Sequence, residues 1–409
     1  MSKPNFSLLT GSGFSIPEGL PGVSNLNDRL SKIDESEIYI HTDMRAMFLN
    51  GQPDPNARLG RIDRLLIQEF LEFYNNQVLE DGKSFHYETF YDFYSKYISD
   101  GDNEEVIEEF YAKFNDKNLS GGKGGYDCYN RIIQFDRTYN QLLAQQLLAD
   151  RYFEDISFGG HSYGAFIRFL KKTLETHDIK FHTLNHDLFF DHLGRHHVDL
   201  WQNFCDGFQL EGSPFYGYVG NDFGVNGRRV HKQYLVKLPH FMNRFDKPLA
   251  YFKLHGSIIT KVVHIQGEQP SRVRIKSDYA VGNYHIETYD PATGKGGFTW
   301  LFDDVMPDFI SGTANKLKRY ISDPYYTNLM AHFEKNLEAS DQLLVLGYGF
   351  QDPGINDHIE RFFLTKGKRM VVIDPRRPES DLLDRYEFEH VAKGVIDVTY
   401  EEYLELLGM

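Results

Sequence analysis

Short apolar runs, each stopped by a glycine or a polar residue, recur along this chain. Phe6-Ser7-Leu8-Leu9-Thr10 stops at Gly11 near the N-terminus. Gln342 to Leu346 stops at Gly347, and Met370 to Ile373 stops at Asp374, near the C-terminus. Mid-chain, Ile179 to Leu184 ends at Asn185, and Leu249 to Leu254 ends at His255-Gly256-Ser257. Runs this short and continuous predict strands of a parallel sheet, which is covered on both faces. Ile355, Ile359, Phe362 and Phe363 recur at helical spacing, and Gly367 is placed as a C-cap. The order strand, helix, strand implies a right-handed crossover. A second helical pattern, with Phe166, Phe169, Leu170 and Leu174 on one face, precedes the Ile179 strand.

From about residue 30 to 155 the pattern turns helical and aromatic. Ile62, Leu65, Leu66, Phe70 and Phe73 form one stripe, and Leu142, Leu143, Leu147 and Leu148 another. Residues 117–126, polar and rich in glycine, read as a mobile loop. Residues 210–240 and 260–320 read as loops and short strands. The expectation is a Rossmann-like α/β sheet flanked by helices, built from residues 1–30 and 156–409, with a mainly helical module inserted at 31–155. Phe70, Phe73, Tyr74, Phe85, Tyr87, Phe90, Tyr91, Phe93 and Tyr94 exceed what one helical layer is expected to bury. They predict either a homo-oligomer contact or packing against the sheet.

Composition narrows the function classes. Forty-four basic against fifty-nine acidic residues leave a net charge of −15, which argues against nonspecific nucleic-acid binding. No apolar run approaches a membrane span or a signal peptide. Cys128 and Cys205 lie far apart with no CxxC pair, so a cysteine-rich zinc site is excluded, and a reducing cytoplasmic setting is expected. Either thiol reads as a nucleophile or as an inert buried group.

Ligands of open α/β sheets bind beyond the carboxyl ends of the strands, which makes the strand ends the candidate site. Gly11-Ser12-Gly13-Phe14-Ser15 is either a plain turn or a loop that lets backbone approach a pyrophosphate; Ile16 breaks the full GxGxxG pattern. Ser15-Ile16-Pro17-Glu18 has the form of a capping box. Asn185 and Asp187 are either an Asx turn or an amide–carboxylate pair able to orient a ribose and a carboxamide. His255, followed by Gly256, is either structural or a general base. Asp374, at the end of the strand that follows Gly347, either suits a ribose diol or is a solvated strand-end carboxylate.

In this order, Gly11 to Ser15 with Gly19-Leu20-Pro21, Thr183 to Asp187, Lys253 to Ser257, Leu346 to Phe350 and Val371 to Pro375 resemble the sirtuin-like (silent information regulator) NAD-binding family. Two departures stand out. The four-cysteine zinc module of protein-deacylating sirtuins is absent, and Ser12 replaces the usual alanine. Both are similar to the bacterial sirtuin-like effectors of antiphage systems, which hydrolyse NAD and in some cases accompany a HerA-type ATPase, an Argonaute-like protein or a TIR protein. With 35 residues after Asp374, little room is left there for a sensing domain.

The resemblance implies a glycosidic NADase that releases nicotinamide and ADP-ribose and depletes NAD as a defence effector, with NAD as substrate and no metal. It assigns Asn185 to the ribose or the attacking water, Asp187 to the carboxamide and His255 to proton transfer. Gly11, Ser12, Gly13 and Ser15 would hold the pyrophosphate, and Gly347 and Asp374 the adenosine. Phe14 either covers the nicotinamide pocket or belongs to the core. The expected partners are a second copy of the chain and a HerA-type ATPase. The competing readings are a non-catalytic NAD or ADP-ribose sensor and an NAD-dependent deacylase.

Overall fold

The computed structural model describes residues 3–40, 45–49, 51, 60–118, 128–148, 163–225, 228–267, 271–278, 281–290, 293–304, 306–309, 312, 314–406 and 408. Its centre is a seven-stranded parallel sheet. Reading across, the strands are Glu389–Val391, Arg369–Ile373, Ser340–Leu346, Asn5–Thr10, Asp178–Thr183, Leu249–Lys253 and Phe204–Cys205. All five strands expected from the apolar runs are present. The two edge strands are new; each is too short to print an apolar run.

Alternate residues of one strand serve opposite cores, as the strand period of two requires. Phe6 and Leu8 face a core closed by the Gly164–Thr176 and Tyr400–Leu406 helices. Leu9 faces the other core, closed by the Pro324–Ala339 and Pro353–Phe362 helices. Gly367 adopts a left-handed φ of 68° and caps the 3-10 turn that follows the second of these helices.

Between the Asn5–Thr10 and Asp178–Thr183 strands the chain builds helices Arg61–Phe73, Tyr87–Asp100, Glu104–Asn118 and Cys128–Leu147. They enclose their own core around Phe70, whose ring lies 5.7 Å from Phe90, 5.0 Å from Phe110 and 4.8 Å from Phe135. This corrects the aromatic argument for self-association: Phe70, Tyr74, Phe85, Tyr87, Phe90 and Tyr94 are buried against one another, and Phe73, Tyr91 and Phe93 are partly buried on the same core. The expected loop at 117–126 is helical as far as Asn118, and its remainder lies outside the described residues.

The stretches 207–244 and 260–303, read as loops and short strands, are more regular than expected: their strands form a five-stranded and a four-stranded sheet. Phe215–Val225 pairs antiparallel with Arg228–Lys237 over ten rungs. Strands such as Lys295–Trp300, exposed at every position, carry no inward apolar face to announce them. Among the described residues no helix is long and apolar enough to cross a membrane.

Candidate functional site

The carboxyl ends of three neighbouring strands, together with the loop after a fourth, open into one cavity of about 310 Å³. Gly11, Ser12 and Ser15 line it from the first strand, Asn185, His186 and Asp187 from the second, and His255 from the third. Tyr348, Gly349, Gln351 and Asp352 follow the Ser340–Leu346 strand. The helical layer closes the opposite side with His86, Tyr87, Glu88 and Leu147.

Hydrogen bonds lock the first two loops together. Asn185 donates its Nδ2 to the Gly11 carbonyl at 2.9 Å and to Ser15 Oγ at 3.2 Å. The Ser15 hydroxyl donates to Asp187 Oδ2 at 2.8 Å, and the Phe189 N–H donates to Asp187 Oδ1 at 2.9 Å. Burial pushes the Asp187 carboxyl above its usual range, against the opposing pull of Lys253. The Lys253 ammonium donates to the Asp187 carbonyl and lies 3.4 Å from the Asp191 carboxylate. Each Asp187 oxygen keeps acceptor capacity beyond these bonds. Ser15 caps no helix with its side chain, so the capping-box expectation fails: its hydroxyl is committed to Asp187 instead.

The pair that sequence reasoning missed is His255 with Asp352. His255 Nε2 sits 3.2 Å from Asp352 Oδ2, and both side chains are buried. Asp352 is the N-cap of the Pro353–Phe362 helix, and its Oδ1 accepts from the Gly354 and Ile355 N–H groups at 3.0 and 3.1 Å. One oxygen is thus fixed by the helix and the other presented to the imidazole. The Asp-Pro step, an N-cap followed by proline at N1, was the available signal. The loop carrying it is strained: buried Phe350 has φ 56°, which a bulky side chain rarely adopts. Gly256 has φ 82°, and a Cβ there would lie 2.4 Å from the Asp308 carbonyl, so the turn after His255 requires glycine.

Several expected residues have other duties. Phe14 is in the core, its ring 5.3 Å from Phe166 and 5.5 Å from Tyr163, so it cannot cover a nicotinamide pocket. Gly13 and Gly347 face each other: the Gly13 N–H donates to the Gly347 carbonyl at 2.9 Å, and a Cβ on Gly347 would meet the Gly13 carbonyl carbon at 2.4 Å. These glycines allow two loops to touch, and neither lines the cavity. Asp374 accepts from the Arg376 N–H in a local turn and is likewise not among the lining residues. Burial pushes the Cys205 thiol up to about 11, which fits the inert reading of that cysteine. No group of three or more potential metal ligands occurs among the described residues.

No family profile and no curated protein matches the sequence. Solved structures do. A Sir2 homologue in complex with NAD aligns over 99% of this chain and 90% of its own at 10% identity, with a TM-score of 0.37. A Sir2 homologue variant with 2′-O-acetyl ADP-ribose aligns over 99% and 93% at 12% identity, with a TM-score of 0.35. A structure described as the basis of sirtuin substrate affinity aligns over 100% and 94% at 11% identity, with a TM-score of 0.32.

Proposed function

We propose that this chain binds NAD in the strand-end cavity and hydrolyses it to nicotinamide and ADP-ribose. The observation that carries the proposal is the His255–Asp352 pair, buried at 3.2 Å in the same cavity as Asn185 and Asp187. A site that only binds needs no imidazole facing a buried carboxylate; a site that moves a proton is helped by one.

In this account the bond between the nicotinamide nitrogen and the ribose anomeric carbon breaks, and the nitrogen keeps the electron pair. Water forms the new carbon–oxygen bond and gives its proton to His255. Asp352 stabilises the imidazolium until it releases that proton to solvent and the base is regenerated. Asn185 and Ser15 hold the ribose side of the substrate, and Asp187 receives the carboxamide. The transition state is oxocarbenium-like, so orienting the ribose and the water is most of the work.

The wider proposal follows the family resemblance: depletion of cellular NAD as an antiphage response, gated by a protein partner such as a HerA-type ATPase and by self-association. Incubation with NAD alone tests the chemistry. Hydrolysis releases nicotinamide without any acylated peptide, a deacylase requires the peptide, and a sensor leaves NAD intact.

A further inference from the structure

We infer that a second cavity, about 340 Å³ between the helical layer and the antiparallel strands, binds a small anion carrying a planar ring, of the nucleoside monophosphate class. The inference stands apart from NAD hydrolysis. The volume lies within the range of small-molecule sites. Its floor is apolar, formed by Ala144 and Leu148 at the end of the Cys128–Leu147 helix and by Ile258.

Two cations reach into the cavity, Lys261 and Arg45, against one carboxylate, Asp303. Lys261 feels Asp303 electrostatically, yet among the described residues no hydrogen bond or ion-pair contact holds its ammonium. Burial, with Arg45 in the same direction, pushes Lys261 down to about 8. A half-desolvated ammonium without a bonded acceptor is costly, and an anionic oxygen would relieve it. The Arg45 guanidinium lies beside the Gly282 backbone, where a Cβ would come within 3.2 Å of it.

The ring requirement comes from the rim. Trp300 and Phe302 are 49% and 48% exposed, and their rings meet edge to face with centroids 4.2 Å apart. Such a corner is a stacking surface for a planar ring. Beside it the Val281–Asp290 strand shifts register between Gly282 and His285, and Asn283 takes φ 51°. Bulges of this kind re-aim side chains at sites.

The two tryptophans of the chain, Trp201 and Trp300, make the test direct. In a Trp201→Phe background the fluorescence reports Trp300 alone. Titration with AMP, excited at the red edge where adenine is transparent, is expected to give a saturable change below millimolar concentration. Adenosine should bind at least tenfold more weakly, because it lacks the anion. Lys261→Gln should weaken AMP at least tenfold with circular dichroism unchanged; Arg45→Gln serves as the second variant if Lys261→Gln misfolds. Absence of any saturable AMP signal, or equal affinity for AMP in the charge-removing variant, overturns the proposal. Neither outcome depends on NAD turnover.

Discussion

His255 Nε2 and Asp352 Oδ2 lie 3.2 Å apart, although 97 residues separate them in the chain. The strand end fixes the histidine and the helix N-cap fixes the carboxylate. Asp352→Asn keeps the shape and removes the charge that supports an imidazolium. Its kcat for nicotinamide release should fall by about 10² or more, with KM for NAD changed far less. Parent-like kcat in a folded Asp352→Asn protein would remove the pair from the mechanism.

The contact of Gly13 with Gly347 makes both positions stability determinants. Gly347 has φ 59°, and a Cβ there would lie 2.5 Å from the Phe14 nitrogen. Gly347→Ala should lower the unfolding free energy by about 1–3 kcal/mol from backbone conformation alone, before the clash is added. Gly13→Val should lower the melting temperature as well as NAD affinity, since its Cβ would lie 2.8 Å from Gly347 Cα. Thermal melts of both variants check this, and an unchanged Tm in either contradicts the packing argument.

How much of this was legible depended on what each residue answers to. The apolar runs ending at Thr10, Thr183, Leu346 and Ile373 are dictated by burial on both faces, so their strands could be read directly. Asn185, Asp187 and His255 stand within four residues of such strand ends, and that position with their chemistry marked them. Asp352 stands six residues beyond its strand, in a loop whose geometry depends on strained Phe350, and no local periodicity points to it. Glu88 reaches the cavity from the helical layer, a tertiary contact without sequence signal. Phe14 misled because a ring next to glycines looks the same whether it faces a ligand or Phe166. The long antiparallel strands hid because their outer faces stay solvated.

Buried His182 gives a pH signature. Its Nδ1–H donates to the Leu8 carbonyl at 3.0 Å, and its Nε2 accepts from Asn336 at 3.0 Å, so the neutral ring is the bonded form. Burial, with Lys180 and His332 nearby, pushes it down to about 3. The unfolded chain therefore binds this proton at higher pH than the folded one. The stabilisation is complete above about pH 6.5 and is lost as pH falls towards 3, at about 1.4 kcal/mol per unit. Asp136, pushed up to about 6 by burial, titrates in part of the same window with opposite sign. The readout is thus the difference between the parent and His182→Gln in urea melts. The parent should lose about 2 kcal/mol more than the variant between pH 7 and pH 5. Equal losses would contradict the assignment.

The central claim is that water attacks NAD in the cavity holding His255 and Asp352. The direct measurement is mass analysis of the products after the chain is mixed with NAD in water carrying heavy oxygen, with no acylated peptide present. The account predicts nicotinamide and ADP-ribose in equal amounts, one heavy oxygen on the anomeric carbon of the ADP-ribose, and loss of both products in folded His255→Ala. NAD bound but left intact, products that appear only with an acylated peptide, or undiminished turnover by His255→Ala would contradict it.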